Sequence, residues 1–259
     1  MQRHTPGLFD LQVNGFAGVD FNDSGLTPDR FEHALNKILS TGVTQFLPTL
    51  ITADRSTLLH RFKALEVAVS ASERAQTMVP GYHLEGPFLN AAPGFSGCHP
   101  AAVMTDPDIG LVDEIQAQLS KPIVLITLAP ERPGALDFIK QARARNIAVA
   151  IGHSDARTPV VKEAIAAGAT LSTHLGNGVA HHMHKFDNPI IAQLSEDHLW
   201  GCFIVDGIHI PLPVCTLYLR SKTLAKSILV TDAVSAACAD VGHYPFAGMT
   251  VERLSLIHI

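Results

Sequence analysis

Eight short apolar runs, each but the last followed by an amphipathic stretch, place the strongest limit on what this chain of 259 residues can fold into. The runs fall at residues 7–14, 44–51, 78–86, 123–130, 147–154, 170–177, 200–207 and 227–233. Several are apolar almost throughout, the mark of parallel strands covered on both faces. Helical spacing fills the gaps at 28–41, 54–74, 107–119, 133–145, 157–167, 188–197 and 211–222. In the second of these, Leu58, Leu59, Phe62, Leu65 and Val69 recur with the helical period. Thr27 before Pro28 reads as an N-cap followed by an N1 proline, and Gly42 and Gly168 sit where helices should end. Strict alternation of this kind predicts an α/β chain, a (β/α)8 barrel rather than an open sheet. No strand leads into a GxGxxG or P-loop motif, which disfavours the doubly wound alternative.

The strands end in polar groups. Asp10, Gln12 and Asn14 close the first and His83 and Glu85 the third, with Glu131 following the fourth. His153 ends the fifth, His174 the sixth, Asp206 and His209 the seventh and Asp232 the eighth. In a parallel barrel all C-terminal strand ends meet at one mouth, where active sites are built. Glu85, His153 and His174 make one carboxylate and two imidazoles, a set suited to catalytic zinc with one position left open. A metal there would activate water, and Asp232 is placed to accept its proton and pass it to a leaving group. A single histidine of this kind would more simply be a satisfied polar group; three converging ligands and an aspartate favour a site.

Composition excludes other classes. The net charge is −5 without any Lys/Arg run, which argues against nucleic acid and membrane surfaces as partners. Nothing approaches the length of a membrane span, and the first ten residues lack the apolar core of a secretory signal. The four cysteines form no CxxC pair and read as reduced thiols in a cytoplasmic protein.

The motifs HLEGPFLN (83–90), LAPE (128–131), GHSDA (152–156), THLGNG (173–178), VDGIHIP (205–211) and LVTDA (229–233), after DLQVNGFAGVDFND (10–23) and TQFLPTLIT (44–52), resemble those of N-acetylglucosamine-6-phosphate deacetylases of the amidohydrolase superfamily. The resemblance implies an amidohydrolase-type barrel that removes the acetyl group of N-acetylglucosamine 6-phosphate by metal-dependent hydrolysis. It implies one divalent ion, zinc, on Glu85, His153 and His174, with Asp232 as acid–base. It puts His99 at the amide carbonyl and Cys98, Gln12, Asn14, Asn177, Gly178 and His209 on the substrate side. The full-length protein is expected to be a homodimer. Gln12 and Asn14 stand where many amidohydrolases carry HxH, so one metal is expected rather than two.

Three departures shape the remaining expectations. No arginine lies between Arg157 and Arg220, where the family's phosphate clamp belongs; Lys185 or His181, His182 and His184 are the available substitutes. The bland reading of these histidines is a solvated loop. The loop at 91–100 adds no basic residue. At the ends, about six residues precede the first strand, and most of the family's accessory β-sandwich is missing. We therefore expect a barrel over 1–240, then the start of a sandwich segment and a non-native tail over 241–259. Part of the barrel wall would be left uncovered, with poor solubility or marginal stability. The alternatives are an amidohydrolase acting on another N-acyl compound and an inactive truncated fragment. A carbohydrate-binding module fits the ligand set poorly.

Overall fold

The computed structural model describes residues 6–254. Eight parallel strands lie in one sheet: β1 (Leu8–Val13), β2 (Val43–Ile51), β3 (Tyr82–Glu85), β4 (Ile123–Leu128), β5 (Ala148–Ile151), β6 (Leu171–Ser172), β7 (Trp200–Ile204) and β8 (Ser227–Val230). Each pairs with its neighbour in chain order. The first and last meet at the mouth, where Asp232 N donates to Gln12 O at 3.0 Å and Asn14 N to Ala233 O at 2.7 Å. The expected barrel is thus formed and nearly closed.

The outer layer comprises α1 (Pro28–Ser40), α2 (Arg55–Ser70), α3 (Glu73–Met78), α4 (Ile109–Gln116), α5 (Ala135–Ala144), α6 (Thr158–Ala167), α7 (Pro189–Leu194) and α8 (Leu212–Lys222). The Thr27 hydroxyl accepts from Arg30 N at the start of α1, and Gly168 at φ +121° closes α6. Several boundaries differ from the sequence expectation; the sixth strand, expected over 170–177, is only Leu171–Ser172, so His174 lies beyond its end. The helix expected at 54–74 is two helices, because the Ser72 hydroxyl accepts from Ala75 N and starts α3 as a separate turn. The strand expected from 78 begins only at Tyr82, because Met78 ends that helix.

Between helices and strands lies an aromatic core, with Phe21 edge-on to Phe31, Phe62 edge-on to Tyr82 and Phe88 edge-on to Phe138. The barrel interior is filled below by Leu47, Leu125, Ala150, Leu171, Cys202 and Ile204. A hydrogen-bonded layer sits above it: Thr49 Oγ1 to His83 Nδ1 at 3.2 Å, His83 Nε2 to Thr127 Oγ1 at 2.8 Å, and Thr127 to Thr173 at 2.6 Å. Burial pushes His83 down to about 4, so this layer is neutral.

No helix covers β8. A cavity of about 540 Å³ runs along the β1–β8 seam beside α1, lined by Val13, Ile38, Val43, Ile204 and Val230, and Leu229 is 56% exposed. Beyond it, Gly242–Phe246 and Met249–Arg253 form a hairpin, held to the barrel by Ala247 N donating to the Asp20 carboxylate at 2.6 Å. The hairpin falls where the sandwich segment was expected; residues 255–259, assigned to the tail, lie outside the described residues. No helix among the described residues is long and apolar enough to cross a membrane.

Candidate metal centre

Glu85, the last residue of β3, is 1% exposed and stands at the centre of three imidazoles. His174 Nε2 lies 3.0 Å and His153 Nε2 3.5 Å from its Oε1; His99 Nε2 lies 3.8 Å from its Oε2. The rings pack edge to face, His99 on His153 at 4.4 Å and His153 on His174 at 4.9 Å between centroids. The sequence-predicted ligands Glu85, His153 and His174 are therefore brought together. His99, expected at the carbonyl, is the farthest of the three but still joins the donor cluster: one donor atom each from Glu85, His99 and His153 fit within 4.8 Å of one another.

The surroundings of His153 specify its tautomer. Nδ1 lies 2.7 Å from Phe95 O, a pure acceptor, so Nδ1 carries the hydrogen. In the neutral ring Nε2 then aims a lone pair at a carboxylate oxygen, and two acceptors facing each other at 3.5 Å call for a cation between them. The ring is clamped between backbones: a methyl on Gly178 would lie 2.7 Å from Nδ1, and one on Gly97 3.1 Å from Cε1. His174 Nδ1 is buried without a partner. Burial would raise Glu85, yet the His153 and His174 imidazoles beside it hold it well below the usual carboxylate range. Burial opposes the charge on His174, but the Glu85 carboxylate pushes it up to about 9. Burial and the His153 ring push His99 down to about 3. One carboxylate and two or three imidazoles, with their far nitrogens partly fastened, fit a zinc-type ion.

Asp232 adjoins this cluster across the seam. Its Oδ1 accepts from Asn14 Nδ2 at 2.6 Å and from Gln12 Nε2 at 2.9 Å, and the same Gln12 nitrogen reaches Glu85 Oε2 at 3.1 Å. Burial and the Glu85 charge push Asp232 up to about 6. Gln12 and Asn14 are thus positioned on Asp232, and Asn14 Oδ1 is left buried and unpartnered.

The outer residues are more dispersed. Asn177 folds back on His174 O through its Nδ2 at 3.2 Å. His209 pairs with Asp206 at 2.6 Å and lines the same seam cavity as Asp232. Cys98 precedes His99; desolvation, then the Glu85 and Asp232 charges, push its thiol up to about 12. His184 Nδ1 accepts from Asp187 N at 3.0 Å in an exposed turn, and Lys185 lies over the Phe186 ring. The reading from sequence left two features without a role: the Thr49–His83–Thr127–Thr173 layer, whose members lie in or beside the quoted motifs but whose bonding across strands they do not show, and Glu131, whose place after β4 was visible but whose partners were not.

No family model matches the chain. Among curated proteins it is 30% identical over 261 residues to N-acetylglucosamine-6-phosphate deacetylase of Caenorhabditis elegans, covering 95% of this chain and 61% of that protein. It is 33% identical over 258 residues to the Danio rerio enzyme of the same name, covering 95% and 62%. It is 30% identical over 255 residues to N-acetylgalactosamine-6-phosphate deacetylase of Escherichia coli O157:H7, covering 95% and 64%. The crystal structure of the Mycobacterium smegmatis N-acetyl-D-glucosamine-6-phosphate deacetylase matches with a TM-score of 0.86 at 28% identity, over 97% of this chain and 64% of that one. The Pasteurella multocida enzyme matches at 0.82 and 30%, over 95% and 63%. The chain thus spans 61–64% of the length of these curated relatives. Over 95% of its own length it is similar, in sequence and in fold, to the N-acetylglucosamine-6-phosphate deacetylases.

Proposed function

We propose that this barrel is the catalytic part of a metal-dependent deacetylase that hydrolyses N-acetylglucosamine 6-phosphate to glucosamine 6-phosphate and acetate. The observation that carries the reading is the Gln12 bridge. It sets the Asp232 carboxylate one amide group away from the Glu85 carboxylate, inside a ring of three imidazoles. Glu85, His153 and His174 would hold the ion, for which zinc suits the nitrogen and oxygen donors. Bound there, zinc supplies Lewis acidity and lowers the pKa of water towards about 7.

The chain's own residues do the rest. Gln12 and Asn14 hold Asp232 Oδ1, so its Oδ2 is the oxygen free to take a proton from the attacking water. Asp232 then returns that proton to the departing amine nitrogen. The Thr52 hydroxyl lies 2.8 Å from His99 Nδ1; with that hydroxyl donating, His99 turns an N–H at Nε2 towards the acetyl oxygen as charge develops there. Asn177, Gly178, His209 and Cys98 lie on the substrate side, with Lys185 and the histidines at 181, 182 and 184 offered to the phosphate. A cytoplasmic homodimer of the whole protein belongs to the same reading; the four free thiols support the compartment, and the resemblance supports the dimer.

The equal identity to an N-acetylgalactosamine-6-phosphate deacetylase supports a second reading, the C4 epimer as substrate. Acetate release from both sugar phosphates and from unphosphorylated N-acetylglucosamine tests all of this on zinc-loaded protein. Release from one phosphate alone selects the epimer. Release from the free sugar removes the phosphate from the reading. No release from folded, zinc-bound protein overturns it.

A further inference from the structure

His153 stands on a left-handed backbone, at φ +50°, that an L residue adopts only when its surroundings enforce it. The enforcement converges on Glu131, in the loop after β4. Its Oε1 accepts from Asp155 N at 2.7 Å and from Asn90 Nδ2 at 2.8 Å, and its Oε2 accepts from the Ser154 hydroxyl at 2.6 Å. Ser154 Oγ in turn accepts from Ala156 N at 2.9 Å, and Asn90 N donates to His153 O at 3.0 Å. One carboxylate therefore gathers the two residues after His153 and, through Asn90, the carbonyl of His153 itself. All three of its donors are neutral.

We propose that Glu131 is the positioning residue for His153. It ties the loops after β3, β4 and β5 into one body, so that the strained turn holds Nε2 against Glu85. The inference rests on the metal-site reading above. The role needs hydrogen bonds, not charge: in Glu131→Gln the amide oxygen keeps Asn90 and Asp155, and the bond to Ser154 reverses, the amide N–H donating to Oγ. In Glu131→Leu all three bonds are lost.

The test is zinc affinity by chelator competition on wild type, E131L and E131Q, with the visible spectrum of the cobalt-loaded proteins and the melting of the metal-free ones. E131L is expected to bind zinc about 10- to 100-fold more weakly, the usual cost of removing an outer partner of a ligand, with an altered cobalt spectrum. E131Q should restore affinity to within about threefold. Wild-type affinity in a folded E131L overturns the proposal, and so does an E131Q as weak as E131L, which would make charge the agent. If E131L does not melt cooperatively, Ser154→Ala, which removes the bond to Glu131 together with the one from Ala156 N, decides: a loss of several-fold supports the proposal and no loss overturns it. A folded wild type that binds no metal fails the metal-site reading instead, a result distinct from each of these.

Discussion

Consider alanine in place of Gly178. The residue stands at φ +61°, and its methyl would lie 2.7 Å from His153 Nδ1, 2.8 Å from Cε1 and 3.1 Å from Cγ. Ordinary contact begins at 3.4 Å, so three ring atoms are overlapped, the worst by about 0.7 Å. The ring has nowhere to go, because Nδ1 is fastened to Phe95 O at 2.7 Å and the Gly97 backbone closes another side. The left-handed backbone costs an L residue about 1–2 kcal/mol, and overpacking a filled site about 1–3 kcal/mol. Together about 2–5 kcal/mol must appear somewhere. If the ring stays, the metal-free protein loses that stability. If the ring yields, Nε2 leaves the metal site, and even 2 kcal/mol there is about 30-fold in zinc affinity. Urea melting of the metal-free protein and chelator competition for zinc measure the two shares. A G178A protein that matches wild type in both would refute the close packing of this loop on His153.

Three further outcomes follow from the same structure. Asp232→Asn should lower acetate release by about 10²- to 10⁴-fold while zinc still binds. With burial and the Glu85 charge pushing Asp232 up to about 6, the proposed role as base predicts a wild-type rate that falls as pH drops through that value; a rate flat to pH 5 would remove it from the role. Phe62→Ala, which empties a fully buried site edge-on to Tyr82, should cost about 3–5 kcal/mol in urea melting; a loss under about 1 kcal/mol would mean that core has collapsed around it. Leu229→Lys, on the uncovered wall of β8, should reduce aggregation with stability unchanged to about 0.5 kcal/mol; unchanged light scattering would clear that wall of blame.

Much of this was legible in the chain because barrels convert sequence order into spatial convergence. Glu85, His153, His174 and Asp232 are spread over nearly 150 positions, yet each follows an apolar run, and runs of that kind share one mouth. What stayed hidden depends on reach rather than type. Gln12 and Asn14 read as poor metal ligands, which they are; that both donate to one oxygen of Asp232 follows from the closure of β1 on β8, which no local pattern encodes. His99 was placed on the substrate side by resemblance, and its distance of 3.8 Å from Glu85 shows that it shares the donor cluster. Glu131 could be located after β4, but a carboxylate with three neutral partners looks in sequence like any solvated loop residue.

The backbone supplies what side-chain types cannot. His153, His174 and Asp232 each sit two residues beyond the end of a barrel strand, and each has a positive φ, of +50°, +24° and +51°. Such angles cost on the order of 1–3 kcal/mol apiece in a residue with a β-carbon. A strand continuing in extended form would carry these side chains up and away from the mouth. A left-handed turn at this offset lets groups from three different strands close on Glu85, at the end of a fourth. The strain is therefore the geometric condition for the cluster, and the fastenings that oppose it hold that cluster together: Phe95 and Glu131 around His153, Gln12 and Asn14 on Asp232. His174 has the fewest. Its Nδ1 is unpartnered, and among the described residues Glu85 is the one side chain its ring nitrogens hydrogen-bond. Of the three it is the residue whose position most depends on what the site binds.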